Sequence, residues 1–162
     1  MFFVNARALI ERINNGVTEI VLQTRAKPKE PEVLELPGGR LELFEPILDG
    51  LCREVFEETG LNVIGIEGAE TRIDTWGINP DFEVECLQPF CVYQTIKGPF
   101  DSVGMYFICQ VSGEIVENGD HTKKVHWKPV AEVRRLMSEN PMQFSDVDRA
   151  GIMYYLKHRF SK

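Results

Sequence analysis

The sequence predicts an α/β domain in which one mixed sheet is covered by helices on both faces. Strand-like and helix-like stretches alternate irregularly along 162 residues. The chain is 43% hydrophobic, 27% charged and 10% aromatic, a globular profile that excludes disorder. No repeat, linker or low-complexity tract interrupts it, so residues 1–162 read as a single domain. A chain of this length buries roughly 70% of the surface its unfolded form exposes, and needs no disulfide or structural zinc. Eighteen Lys and Arg against 25 Asp and Glu give a net charge of -7, opposite to the footprint that grips a DNA or RNA polymer. A small polyanion still suits an acidic protein where Arg, Lys, backbone amides or a divalent cation reverse the local sign.

The elements follow in order. Phe2 to Ile13 and Val17 to Arg25 alternate as strands around Asn14-Asn15-Gly16, a hairpin turn. Ala26 to Val33, with two prolines and mixed charges, reads as an exposed loop forming one wall of a cleft. After the break at Leu36-Pro37-Gly38-Gly39, the residues Ile47, Leu48, Leu51 and Val55 recur at helical spacing. Pro46 suits the first helical position and Gly60 the left-handed stop. Strand-like runs follow at Leu61–Thr75, Phe82–Tyr93, Val103–Val111 and Val125–Trp127. Val130–Glu139 and Asp146–Phe160 close the chain as amphipathic helices, broken at Asn140-Pro141. Cys52, Cys86, Cys91 and Cys109 lack CxxC spacing and read as reduced core thiols. The N-terminus carries no leader pattern and no apolar run is of bilayer length, so the expected setting is cytoplasmic, without a membrane partner. His121, His126 and His158 have no zinc spacing.

Chemistry concentrates in the helix after Pro46. Glu54, Glu57 and Glu58, spaced i, i+3 and i+4, fall within roughly a 100° arc. Like charges at that spacing repel, and acids in the last turn oppose the helix dipole. Hard oxygen ligands so placed suit Mg²⁺ or Mn²⁺, with water or substrate phosphate completing the shell. A solvated acidic helix end is the bland alternative, and the flanking residues argue against it.

Gly39 is followed by five residues, Glu45, seven residues, and then Arg53-Glu54-Val55-Phe56-Glu57-Glu58-Thr59-Gly60-Leu61. This resembles the Nudix box, G-x5-E-x7-R-E-U-x-E-E-x-G-U with U aliphatic, at every specified position from 39 to 61. A chance match has a probability on the order of 10⁻⁸ at ordinary residue frequencies. The lead-in Leu34-Glu35-Leu36-Pro37-Gly38-Gly39 and the closing helices extend the likeness to most of the domain.

The resemblance implies the family's fold, an α/β/α sandwich around a mixed sheet, and hydrolysis of nucleoside diphosphates linked to another moiety. It implies that Glu54, Glu57 and Glu58, with the Gly38 carbonyl, hold Mg²⁺ or Mn²⁺. Glu54 and Glu57 are then catalytic candidates as well, Gly39 approaches substrate, and Glu45 pairs with Arg53 to fix loop against helix. A guanidinium can hold a carboxylate at two points, although an ordinary surface ion pair is equally compatible. Relatives use one further carboxylate from a loop before the last strand. Spacing back from Trp127 favours Asp120 over Glu117, while a plain polar turn also suits Asn-Gly-Asp. Arg25 resembles the basic position that touches substrate phosphate in MutT-like members; a surface arginine is the alternative.

There are two departures from the family pattern. Phe44 stands where relatives have Gly before the box glutamate, and a Cβ there restricts φ. The segment before Leu36 lacks a Trp common in relatives, leaving Trp76, Phe82, Tyr93, Phe100 and Tyr106 as aromatics for base or core. The first functional reading is a MutT-like nucleoside triphosphate pyrophosphohydrolase. Hydrolysis of ADP-ribose or a nucleotide sugar is the alternative, although Pro80 lies farther beyond the box than the proline of that subfamily. A nucleotide-sensing module without turnover is the reading of another class; the box acids it would lack are all present. Self-association as a homodimer is left open.

Overall fold

The computed structural model describes residues 1–116, 118–119 and 122–160. Its first strands, β1 (Phe2–Asn14) and β2 (Val17–Arg25), form the predicted hairpin. Asn15 and Gly16 take φ of 50° and 80°, as a two-residue turn with both centres left-handed requires. The strands pair only near that turn, from Glu11 opposite Ile20 to Asn14 opposite Val17. Farther out they part, and the chain after the loop fills the split. There β3 (Val33–Glu35) pairs with β2, and β4 (Gly38–Arg40) pairs with β1. Pro37, which has no N–H to offer a ladder, lies at the crossing between them.

The other edge of β1 runs parallel to β9 (Asp101–Ser112), from Phe2 opposite Asp101 to Ile10 opposite Cys109. On β9 lie β5 (Asn62–Ile66) and β8 (Cys91–Gln94), both antiparallel. The long edge of β2 takes β11 (Thr122–Pro129), which in turn carries β10 (Asn118–Gly119). The main order is therefore β10-β11-β2-β1-β9-β5, a mixed sheet.

Period-two alternation gives the sheet two apolar faces. Ala6, Ala8 and Ile10 of β1, with Val21, Phe107 and Cys109, pack beneath Leu51 and Val55 of α1 (Ile47–Thr59). Leu9, Ile20, Leu22, Tyr106 and Ile108 face the other way, against α2 (Val130–Glu139) and α3 (Asp146–Arg159). A Cβ at Gly151 would stand 2.3 Å from the Tyr106 ring, so α3 approaches the sheet over a residue without a side chain. The expected α/β/α layering is thus present. Burial explains its stability: truncating a fully buried leucine such as Leu51 costs about 2–5 kcal/mol.

Several boundaries differ from the sequence expectation. Pro46, at φ -59° and ψ 141°, caps α1 from outside instead of occupying its first turn, and the Ile47 N–H is met by Glu85 Oε1 at 2.8 Å. Gly60 does stop α1, at φ 76° with its N–H on Phe56 O at 2.9 Å. The run Leu61–Thr75 keeps only β5 and a two-residue β6 (Ile73–Asp74). The run Phe82–Tyr93 keeps only β7 (Glu85–Cys86) and the start of β8. Strands β6 and β7 pair with each other, apart from the main sheet. Their excursion leaves Ile73, Trp76, Ile78 and Phe82 exposed, and strand propensity alone could not reveal that. Conversely, Val125–Trp127 lengthens to β11 because β2 pairs with it on both sides of a register shift between Lys123 and His126. The cysteines are free, but only Cys109 is a fully buried core thiol. Cys52 and Cys91 are half-buried and Cys86 is exposed on the excursion, which corrects the core reading for it.

Candidate active site

The site forms where β1 and β2 part. Gly38, at φ 137°, crosses β1 so closely that a Cβ would lie 2.4 Å from Ala6 O and 2.6 Å from Arg7 Cα. A Cβ on Gly39 would meet the Glu54 carboxylate at 2.6 Å. Two glycines therefore let β4 pair closely with β1 while lying against the Glu54 side chain of α1. The resulting cleft, about 410 Å³, is lined by Gly38, Gly39, Glu35, Glu54 and Glu58 on its acidic side. Arg25, Lys27 and Arg40 bring positive charge to the same cleft. Phe3 and Phe100 stack edge-on there at 5.4 Å, with the Arg40 guanidinium 3.6 Å over the Phe3 ring.

Of the residues expected from sequence, Gly38, Gly39, Glu54, Glu58 and Arg25 thus share one cleft. Arg25 lies 3.7 Å from Glu30. Glu57 is exposed and sits 3.3 Å from Arg53, outside the cleft lining. The expectation that all three helix acids face one way is corrected. On a helix whose inner face is pressed into the split, the i+4 partner of Glu54 turns inward and the i+3 partner stays at the shoulder. Arg53 holds Glu45 at two points, Nε to Oε1 at 2.7 Å and Nη2 to Oε2 at 3.0 Å. Its Nη1 donates to Glu54 Oε1 at 3.0 Å as well, so one guanidinium ties loop, inner acid and outer acid together. Phe44 has φ of 61° and an exposed side chain, the strain expected of a residue where relatives carry glycine. Asp120, Glu117 and His121 lie outside the described residues. Among the aromatics, Phe100 lines the cleft. Tyr106 is buried and donates to Val147 O at 2.8 Å, Tyr93 accepts from Asn5 Nδ2 at 2.5 Å, and Trp76 and Phe82 stand exposed.

Sequence reasoning missed the floor of the cleft. Arg7, from β1, is buried; its Nη2 donates to Leu36 O at 2.6 Å, and its Nε lies 2.6 Å from Asp148 Oδ1 as an ion pair. Glu35 approaches the same guanidinium at 3.7 Å. Gln23 donates through Nε2 to Glu35 Oε1 at 3.2 Å and to Glu58 Oε2, while Gly38 N–H donates to Glu58 Oε1 at 3.0 Å. The available signals were a lone arginine inside the apolar run Ala6–Ile10 and a glutamate inside the lead-in to the box.

Burial dominates the electrostatics. It pushes Glu58 up to about 8, against the pull of Arg7 and with help from Glu35. Burial also raises Glu35 and Glu54, opposed by Arg7 in the first and by Arg53 in the second. Burial by itself would lower Arg7, but Asp148, Glu35 and Glu58 outweigh it and hold the guanidinium charged. Glu45, bound by Arg53, lies below the ordinary carboxylate range.

Among the described residues, no group of three or more His, Cys, Asp or Glu side chains is gathered closely enough to hold an ion alone. The donor chemistry nonetheless fits Mg²⁺, which takes one or two carboxylates and completes its shell with water and substrate phosphate. Glu54 and Glu58 would provide the carboxylates. Gln23 Oε1, buried beside Glu58 without a donor, is a neutral oxygen still lacking a partner.

A mixed α/β/α sandwich with acids, glycines and cations converging in a sheet split defines the class: a fold and cleft suited to phosphoanhydride chemistry. The NUDIX domain family matches residues 2–146, and the chain belongs to that family. A curated "MutT-like protein" from Streptomyces ambofaciens is 34% identical over 106 residues, 65% of this chain and 53% of the relative. This chain thus spans about half the length of that relative. Among solved structures, a MutT NUDIX hydrolase from Burkholderia pseudomallei aligns with TM-score 0.64 and 19% identity, over 94% of this chain and 97% of that one. The NUDIX domain of Shewanella oneidensis NrtR, complexed with ADP ribose, gives 0.68 and 14% over 99% and 89%. A MutT protein from Methanosarcina mazei gives 0.63 and 16% over 98% and 95%. At these identities the structural likenesses establish the shared fold. No described helix is long and apolar enough to cross a membrane.

Proposed function

We propose that the chain is a divalent-cation-dependent pyrophosphohydrolase of nucleotides, cleaving a nucleoside triphosphate to the monophosphate and pyrophosphate. The observation that carries the reading is the sharing of one cleft by Glu54, Glu58 and the Gly38–Gly39 main chain with Arg25, Lys27 and Arg40. Carboxylates there meet a cation, and cations meet phosphate. Glu54, Glu57, Glu58 and the Gly38 carbonyl are the proposed ligands, with Glu57 joining once it leaves Arg53. Bound Mg²⁺ or Mn²⁺ would neutralise phosphate charge and acidify the attacking water.

The chain's own residues supply the rest. Arg25, Lys27 and Arg40 hold phosphate oxygens, and the Phe3–Phe100 pair offers an apolar edge to the nucleoside. In the reaction a water oxygen bonds to phosphorus, the P–O anhydride bond breaks toward the leaving phosphate, and the water's proton passes to a carboxylate. Glu54, Glu57 and Asp120 are the catalytic candidates. Of these, Glu54 is assigned the proton because it lines the cleft, which Glu57 does not, and burial makes it more basic. A second reading, hydrolysis of ADP-ribose or a related nucleoside diphosphate, draws support from the ADP ribose held by the similar NrtR domain. Turnover of triphosphates, ADP-ribose and nucleotide sugars with Mg²⁺, assayed for phosphate and pyrophosphate, tests both. Pyrophosphate from triphosphates supports the first, and no turnover of any substrate favours a sensing role.

A further inference from the structure

We propose that Asp148 is a positioning residue for the cation-holding end of the cleft, acting through the Leu36 main chain; this rests on reading Glu58 as a cation ligand. Asp148 comes from the first turn of α3 and is fully buried. Its Oδ2 accepts the Leu36 N–H at 2.8 Å and lies 3.0 Å from Arg7 Nη2. The same Nη2 donates to Leu36 O at 2.6 Å. The Arg7–Asp148 pair therefore holds both polar groups of Leu36. Leu36 lies at the crossing between β3 and β4, where no ladder fixes it. One residue before it, Glu35 shares Gln23 with Glu58; two residues after it, the Gly38 N–H holds Glu58 Oε1 at 3.0 Å.

The helix cap does not need Arg7, since Ser145 Oγ accepts the Asp148 N–H at 3.2 Å and itself donates to Asp148 Oδ2 at 3.2 Å. Nor is a buried ion pair an efficient source of stability, because apolar residues of similar volume often serve as well or better. What charge provides here is direction: Leu36 N–H and C=O are fixed at once, and the Gly38 amide with them. Tyr106 Oη, which donates to Val147 O at 2.8 Å, lies 3.3 Å from Asp148 Oδ1 on the sheet side.

The test measures Mn²⁺ dissociation constants by electron paramagnetic resonance on the full chain, alongside melting temperature, kcat and KM. Asp148→Ala should weaken Mn²⁺ binding at least tenfold and lower kcat more than it raises KM. Asp148→Asn, which keeps an acceptor for Leu36 N–H, should weaken binding about threefold, and it carries the test if the alanine variant does not fold. Glu11→Gln is the control. It loosens the far end of α3, where Glu11 accepts from Arg159 Nε at 2.8 Å and Tyr155 Oη at 2.5 Å, without touching Leu36. It should cost stability and leave the Mn²⁺ constant within twofold. Unchanged Mn²⁺ binding in both Asp148 variants, or an equal loss in Glu11→Gln at the same melting temperature, overturns the positioning role. Glu58→Gln separates the two layers: if it leaves Mn²⁺ binding intact, the cation-ligand reading falls and this inference falls with it. If it abolishes binding while the Asp148 variants do not, only the positioning role fails.

Discussion

The inner wall of the cleft and its outer shoulder are built from the same residue type with opposite consequences. On the inner wall Glu58 and Glu35 are buried beside Arg7, and burial raises both toward the protonated form. On the shoulder Glu45 and Glu57 meet Arg53 near solvent, and Glu45 is held as an anion. Glu57 and Glu58 are neighbours in sequence, and one helical step of about 100° carries the second into the core. A buried carboxylate without enough positive charge costs stability when ionised, whereas an exposed pair contributes little either way. Only the inner wall stores an electrostatic demand that a cation can relieve.

The sharpest way to break the contrast is to remove charge on each side. Glu58→Gln should lower kcat on the order of 10³-fold while the fold survives, and steady-state kinetics with Mg²⁺ reads this. Glu57→Gln should lower kcat about tenfold or more if Glu57 joins the ligand set, with little change in metal-free stability. Near-normal turnover for Glu58→Gln would sink the metal assignment.

Next in size is the pH response of the metal-free protein. A glutamate raised from 4.5 to about 8 on folding binds more protons folded than unfolded. Its contribution therefore favours the fold below pH 4.5 and is progressively lost as pH rises to about 8, by up to a few kcal/mol. Thermal melts across that window should show stability falling relative to Glu58→Gln, in which the slope flattens.

Added Mg²⁺ or Mn²⁺ should then raise the melting temperature in a concentration-dependent way. The gain is about 2.7 kcal/mol at a hundredfold excess over the dissociation constant. Glu58→Gln should blunt the gain. An unchanged wild-type melt at metal concentrations where binding is independently detected contradicts the electrostatic argument.

The smallest effect belongs to the shoulder. Phe44 holds φ of 61°, a conformation costing a residue with a Cβ about 1–2 kcal/mol, and its ring is exposed. Phe44→Gly relieves that strain but loosens the unfolded chain by about 0.4–1 kcal/mol, so a net gain of about 0.5 kcal/mol is expected. Chemical denaturation is precise enough to read it.

The box residues were legible because their chemistry is local in sequence: glycine, glutamate and arginine spacings on one loop and one helix suffice to mark them. The hairpin turn at Asn15-Gly16, the stop at Gly60 and the apolar faces of α1 were legible for the same reason, each being set by short-range sterics or periodicity. What those residues are placed against was not legible. Arg7, Gln23, Glu35 and Asp148 come from three strands and a distant helix, and no spacing rule joins Leu36 to a residue 112 positions away. Nor could pattern show that the apolar stretch through Trp76 and Phe82 leaves the sheet, since strand propensity does not know whether a ladder partner exists. The sequence by itself determined the family's motif, the layers and the acids available. The tertiary structure decided which acids are buried, because burial depends on the split between β1 and β2 into which Gly38 carries the chain.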